Sequence, residues 1–171
     1  MKFPLIVSIV CAGLVVAGSV QSKEIKINQR YTGVSHPTML DTNDDGIFAS
    51  VGNFQLVGSP GRATMQGVFE STAFAIPGES PCDVQNEALH QSYVETFNDG
   101  SMLFMVGDTG YNCLNLDTFE IWGELSGTFT GGIGRFQNAT GTWTVETDIT
   151  VVGDFQVVFT GTFKGTVEIP D

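Results

Sequence analysis

The clearest pattern in the chain is a strict alternation of apolar and polar residues over 154–169. One face of this segment carries phenylalanine, valine, isoleucine and glycine, and the other carries mostly threonine, lysine and glutamate. A period of two over that length predicts a long β-strand with one buried face. The residues of the apolar face are Phe155, Val157, Phe159, Gly161, Phe163, Gly165, Val167 and Ile169.

The rest of the chain after residue 22 also has the pattern of strands and turns. The segment 117–130 repeats the alternation of phenylalanine with glycine, from Phe119 to Phe129. The stretches 59–61 (SPG) and 98–100 (NDG) are turn formers, and only 82–89 has modest helical character. Further strands are predicted over 24–28, 47–58, 62–76, 89–97, 101–107 and 141–151.

The amino-acid composition indicates which fold these strands form. The chain contains 21 glycines and 13 phenylalanines, and only 15% of its residues are charged. Glycines on the apolar face of long strands allow sharp bends, which suits a closed barrel better than a flat sandwich. We therefore predict an all-β protein, with residues 23–171 forming one antiparallel, closed barrel of roughly eight glycine-bent strands.

The glycine-rich loop GGIGRFQNATG, 131–141, joins two of these strands. A phosphate-binding loop should open a helix, but the following residues alternate as a strand, so the glycines are assigned to a corner. We expect Phe136 to pack into the barrel end and Arg135 to pair with a nearby carboxylate or carbonyl. Asn138 begins a glycosylation sequon, and whether it is glycosylated is left open.

The pattern GTFTGGIGRFQNATG, followed by a strand ending in GTFKGTVEI, resembles the allene oxide cyclase and dirigent-like β-barrel proteins. More closely, with DTNDDGIFAS and GSPGRATMQGVFE, it resembles uncharacterised exported bacterial proteins with that barrel. The resemblance covers about residues 40–169. It implies a hydrophobic cavity of the kind in which the cyclases and dirigent proteins guide ring closure or radical coupling, and it assigns no catalytic residue.

The N-terminal residues 1–22 have the features of a cleaved signal peptide. Lys2 precedes an apolar run of signal-peptide length, 5–17, and small residues follow, so the mature chain should begin between Val20 and Lys23. Secreted or periplasmic localisation follows from this. Loss of Cys11 with the leader would leave Cys82 and Cys113, which are expected to form a disulfide in an oxidising compartment.

The chain is strongly acidic, with a formal net charge of −12 that becomes more negative once Lys2 is removed. Such a surface repels nucleic acid and anionic membranes, so neither is an expected partner after signal cleavage. No cofactor is expected, and the oligomeric state is left open.

The stretch DTNDDG is a candidate calcium loop, because Asp41, Asn43 and Asp45 place oxygen ligands at alternate positions before Gly46. Glycine at position 52 replaces the glutamate of a helix–loop–helix calcium site, which excludes that motif. The favoured interpretation is a solvated acidic turn, and a looser calcium site is the alternative.

Three residues are candidates for catalysis. Glu95 and Tyr93 share one face of a predicted strand, and Glu70 lies on a face of another with Gln66. A carboxyl group among aromatic side chains would have a raised pKa and could act as a general acid. The favoured interpretation is nevertheless that both faces point outward into water.

Three functions are consistent with this sequence. The first, which we favour, is an exported barrel that binds a small apolar ligand or a partner without catalysis. The second is a cofactor-independent cyclase or isomerase that uses a cavity carboxylate. The third is an envelope protein stabilised by calcium.

Overall fold

A computed structural model describes residues 22–79, 81–153 and 156–170. The signal peptide expected over 1–22 lies outside these residues except for Ser22, as does Phe155. The strands are β1 Lys23–Pro37, β2 Ser50–Ser59, β3 Ala63–Ser71, β4 Ile76–Pro77, β5 Val84–Phe97, β6 Met102–Leu114, β7 Ile121–Ile133, β8 Thr140–Val152 and β9 Gln156–Ile169.

Eight of these strands form a closed antiparallel ring. Their order is β3-β2-β1-β9-β8-β7-β6-β5, and pairing of β3 with β5 closes it, while the short β4 pairs with the beginning of β5. The prediction of an all-β, eight-stranded closed barrel is therefore confirmed. The helical element of the described chain is a single 3-10 turn, Gly134–Phe136, and no helix there has the length and apolarity needed to span a bilayer.

Glycines on the inner face provide room for aromatic rings as well as bends. A Cβ atom on Gly127 would collide with the indole of Trp143 and with a backbone carbonyl of β6, and one on Gly67 would collide with the ring of Tyr93. Each large ring thus occupies the volume that a neighbouring side chain would otherwise fill. This arrangement explains why glycine and aromatic residues alternate so persistently along the strands.

One end of the barrel is filled and will be called the closed end. Phe136, from the 3-10 turn, is fully buried and packs on Phe97 with ring centroids 4.8 Å apart. The guanidinium of Arg135 lies 4.7 Å from the ring centre of Phe97 and 3.4 Å from a carboxylate oxygen of Asp99. The expectations for Phe136 and Arg135 are both confirmed.

A disulfide links Cys82, just before β5, to Cys113 in β6, with the two Cα atoms 5.5 Å apart. This bond ties the segment that enters β5 to the neighbouring strand at the other end of the barrel. The predicted pairing is confirmed.

Several local predictions are wrong, among them the following two. The helical character assigned to 82–89 is overridden by pairing, because β5 begins at Val84 and is paired with β6 from its first residue. Phe119 does not belong to the buried face of β7; it lies in the preceding turn with φ of 59° and is 75% exposed.

Candidate functional site

A cavity of about 210 Å³ occupies the half of the barrel opposite the closed end. It reaches the surface there, since Phe74 and Val151 line it and are 37% and 60% exposed. We call this end the mouth. The aromatic residues of the cavity wall are Tyr31, Phe54, Phe69, Phe74, Tyr93, Trp143, Phe159 and Phe163.

The aromatic rings support one another in a continuous wall. Phe69 stacks on Tyr93 with centroids 6.3 Å apart and meets Phe159 edge to face at 6.0 Å. Tyr93 in turn meets Trp143 edge to face at 6.0 Å. Such contacts hold the rings in fixed positions, so the shape of the cavity is formed before any ligand enters.

Within the part of the chain that the structure describes, Gln91 is one of two residues in this wall with an unsatisfied polar atom, the other being Glu70. The hydroxyl of Tyr93 donates to Gln91 Oε1 at 2.7 Å, but the buried Gln91 Nε2 has no hydrogen-bond partner among the described residues. Leaving a buried donor without a partner costs ~1–3 kcal/mol. An acceptor atom on a bound molecule would satisfy it.

The two cavity tyrosines remain neutral at ordinary pH. Burial, only partly offset by a hydrogen bond with Thr147, raises the pKa of Tyr31 to about 12. Burial also raises the pKa of Tyr93 above its ordinary value. Both hydroxyls can therefore donate hydrogen bonds, and neither is a ready base.

Glu70 lies at the mouth and is buried, so the interpretation that it points into water is wrong. Strict alternation places it outward with the exposed Gln66, but the β3–β5 register is irregular between Phe69 and Ser71. A loop then covers it, and the backbone N–H and hydroxyl of Thr42 both donate to Glu70 Oε1. Glu70 is the carboxylate that the structure brings to the cavity wall.

Glu95 is also buried, which corrects the same interpretation for its strand, but it does not line the cavity. It lies toward the closed end, where Gln29 Nε2 donates to Glu95 Oε1 at 2.7 Å. Burial raises the pKa of Glu95 to about 7, despite the hydrogen bond from Gln29 and the charge of Arg135. Of the three sequence-predicted residues, Tyr93 and Glu70 contribute to the cavity.

The side chains of the proposed calcium loop satisfy the loop's own backbone. Asp41 Oδ2 accepts from the N–H of Gly46 at 2.9 Å, and its Oδ1 accepts from two further N–H groups. These bonds hold the pKa of Asp41 below its usual range. Asn43 Nδ2 donates to Asp45 Oδ2 at 3.0 Å. This is the geometry of an acidic turn, and calcium binding by Asp41, Asn43 and Asp45 stays a prediction.

Large apolar side chains surround the mouth. Met39, Leu40 and Phe48 lie in the loop between β1 and β2, and Leu116 and Phe119 lie in the loop between β6 and β7. All five are at least half exposed. Together with Phe74 and Val151 they make the approach to the cavity apolar.

Sequence reasoning did not single out Gln91 or Trp143. Gln91 lies on the same face of its strand as Tyr93 and Glu95. Because that face was interpreted as exposed to water, the amide that lines the cavity was not recognised. Trp143 lies near the start of the strand predicted over 141–151, and its alternation with Val145 was the available signal.

No family model matches the chain, and no curated protein matches it. Solved structures do match. The pterocarpan synthase dirigent protein GePTS1 has a TM-score of 0.50 and 12% identity, covering 95% of this chain and 98% of that chain. The pterocarpan synthase dirigent protein PsPTS1 has a TM-score of 0.52 and 14% identity, covering 88% and 99%.

At these identities the similarity shows the fold alone. The dirigent-like β-barrel inferred from the glycine-rich corner and the last strand is confirmed as a fold. The resemblance to exported bacterial proteins stays a prediction.

Proposed function

We propose that this protein is exported and binds a small apolar molecule in the barrel cavity without covalent chemistry. The observation that carries the proposal is an aromatic-walled cavity in which a buried amide, Gln91 Nε2, has no partner among the described residues. The molecule that fits is an apolar, ring-containing compound with one hydrogen-bond acceptor.

The volume of the cavity is consistent with such a ligand. A dry, apolar cavity of ~150 Å³ accepts benzene, so about 210 Å³ that opens toward solvent is sufficient for a larger aromatic compound. The apolar residues around the mouth provide a route by which such a compound leaves water. The pterocarpan synthase dirigent proteins share the fold, which supports a role in holding an apolar molecule in a defined position.

The disulfide supports export, because Cys82–Cys113 would be unusual in a reducing cytosol. The acidic surface fits the same role, since it discourages adhesion to nucleic acid and to anionic lipid.

Two bicyclic probes test the proposal. Naphthalene and 2-acetylnaphthalene differ by one carbonyl acceptor, and their binding can be followed by quenching of Trp143 in a Trp122→Phe background. We expect both to bind and the ketone to bind more tightly. Ala88→Phe places a ring in the cavity wall and should weaken binding at least tenfold, whereas Glu87→Phe places it on the outer face and should leave binding within twofold.

The role of the amide has its own test. Gln91→Met keeps the volume but removes the donor, so the preference for 2-acetylnaphthalene over naphthalene should fall about tenfold, the equivalent of one neutral hydrogen bond. Gln55→Met, on the outer face of β2, is the matched control. Equal binding by the wild type, Ala88→Phe and Gln91→Met proteins would show that the probes bind elsewhere.

A cyclase or isomerase is the second candidate, favoured by the presence of Glu70 in the cavity wall. A cavity carboxylate that acts as a general base would remove a methyl proton from bound 2-acetylnaphthalene and return a deuteron from D₂O. NMR would detect this exchange. If it occurs in the wild type and Glu87→Gln proteins but not in Glu70→Gln that still binds the ketone, the catalytic function replaces the one proposed above.

A further inference from the structure

A second polar feature lies at the mouth, where the loop containing Asp45 folds over the irregular pairing of β3 with β5. One ligand-type atom each from Asp45, Glu70 and His90 lies within 4.8 Å of the other two. Asp45 comes from the loop, Glu70 from β3 and His90 from β5, so the tertiary fold brings together groups that are distant in sequence. Among the described residues this is the group of carboxylate and imidazole side chains that could surround a metal ion.

Glu70 provides an independent indication of a ligand. Its side chain is only 1% exposed, and its Oε1 accepts both hydrogen bonds from Thr42. Its Oε2 is buried and has no hydrogen-bond partner in the described part of the chain. A buried carboxylate oxygen in this condition is costly, and a cation would satisfy it.

We propose that Asp45, Glu70 and His90 bind one divalent transition-metal ion, with Zn²⁺ as the representative. Two carboxylates balance the charge of the ion, and an imidazole nitrogen is a ligand that zinc and its neighbours accept and that calcium and magnesium rarely use. Thr42 then supports the site from outside the ligand set, because its hydrogen bonds orient the carboxylate of Glu70. Three protein ligands leave a fourth position for water or a ligand atom.

The three ligand atoms need to move only slightly closer together to bind an ion. Nitrogen and oxygen ligands ~2.1 Å from a tetrahedral ion lie roughly 3.4 Å apart. Glu70 is held in place by burial, whereas Asp45 and His90 are exposed and need to move inward by about an ångström. For Asp45 this movement exchanges its loop hydrogen bonds from Asn43 Nδ2 and the Ile47 N–H for the bond to the ion. The site differs from the calcium loop considered above, with which it shares only Asp45.

The full mature chain, without an affinity tag and freed of metal by chelator, provides the test. Zinc titration by calorimetry should give one site per chain. At a free concentration about 100 times Kd, zinc should raise Tm by about 5–10 °C. Calcium at millimolar concentration should neither bind this site nor compete with zinc.

Matched variants distinguish this site from adventitious surface binding. His90→Gln should weaken zinc binding at least tenfold, while His36→Gln, another exposed histidine, should stay within twofold. Asp45→Asn should weaken it similarly, with Asp44→Asn in the same loop as control. Because His90 and Asp45 are exposed, these variants should fold even if Glu70→Gln does not.

Three outcomes would overturn the proposal. They are the absence of zinc binding at millimolar concentration, equal zinc affinity in His90→Gln and His36→Gln, and stabilisation by calcium but not by zinc. The last would instead assign the metal to Asp41, Asn43 and Asp45. None of these measurements uses the cavity probes, so this proposal and the ligand-binding proposal can fail separately.

Discussion

Substitution of Glu95 by glutamine should remove most of the pH dependence that this residue gives to stability. Gln29 Nε2 donates to Glu95 Oε1, yet Gln29 Oε1 and Glu95 Oε2 are both buried without partners in the described chain. These two acceptors lie on side chains that already share a hydrogen bond, so one additional proton between them is needed to satisfy both. A protonated carboxyl would donate Oε2–H to the amide oxygen and satisfy both.

The magnitude follows from the raised pKa. Burial moves the pKa of Glu95 from 4.5 to about 7, and each tenfold change in proton affinity corresponds to ~1.4 kcal/mol. Because the folded state holds this proton more tightly than the unfolded state does, the group favours folding at acid pH. That contribution is complete below pH 4.5, falls as the pH rises toward 7, and amounts to about 3 kcal/mol in all.

Urea denaturation from pH 4.5 to 8 measures the effect. The amide of Glu95→Gln can donate to Gln29 Oε1 at every pH, so its stability relative to the wild type should increase by about 3 kcal/mol over this range. Glu87→Gln, an exposed change on the same strand, should follow the wild type within about 0.5 kcal/mol and accounts for the general effect of an acidic surface. A difference between Glu95→Gln and wild type that is constant with pH would refute the reasoning.

Three further predictions follow from the ends of the barrel and from the cysteines. Phe136→Ala should lower the free energy of unfolding by about 3–5 kcal/mol, because it opens a cavity at the closed end. Phe119→Ala, at an exposed position, should change the free energy of unfolding by less than ~1 kcal/mol. Equal effects of the two substitutions in urea denaturation would contradict the packing described for Phe136. Replacement of both Cys82 and Cys113 by serine should cost about 3 kcal/mol, seen as a lower Tm, and titration of the unfolded, unreduced wild type should find no free thiol from this pair. Intact-mass measurement of exported protein should place its first residue between Val20 and Lys23, and a retained leader would contradict this.

The features that the sequence predicted well are those that depend on residues close together in the chain. A strand with one buried face repeats every two residues, so alternation in the last strand correctly identified the buried Phe163 and Val167. The corner loop was also predicted correctly, because Phe136 is the aromatic residue among the glycines and polar residues of 131–141.

The features that sequence reasoning missed depend on contacts between distant segments. Alternation assigns Glu70 to the outer face, and nothing near it in sequence signals the irregular pairing or the cover by Thr42. For Glu95 the alternation was correct, but the polar residues Gln91 and Glu95 on the aromatic face of this strand led to the wrong assignment of that face to water. Its partner Gln29 lies on β1, separated from it by two strands of the ring.

The pairing of β1 with β9 also has a consequence for how the chain folds. Their register runs from Lys23 opposite Ile169 to Ser35 opposite Val157, so the first and last strands of the barrel are direct neighbours. Closing the ring brings together the most distant parts of the chain. This step is slow, because the chain loses a large amount of conformational entropy before the new contacts compensate for it. Until β9 is present, β1 and β8 are both free sheet edges, open to pairing with other chains. A nascent or truncated chain that lacks β9 is therefore an aggregation-prone open sheet rather than a smaller barrel.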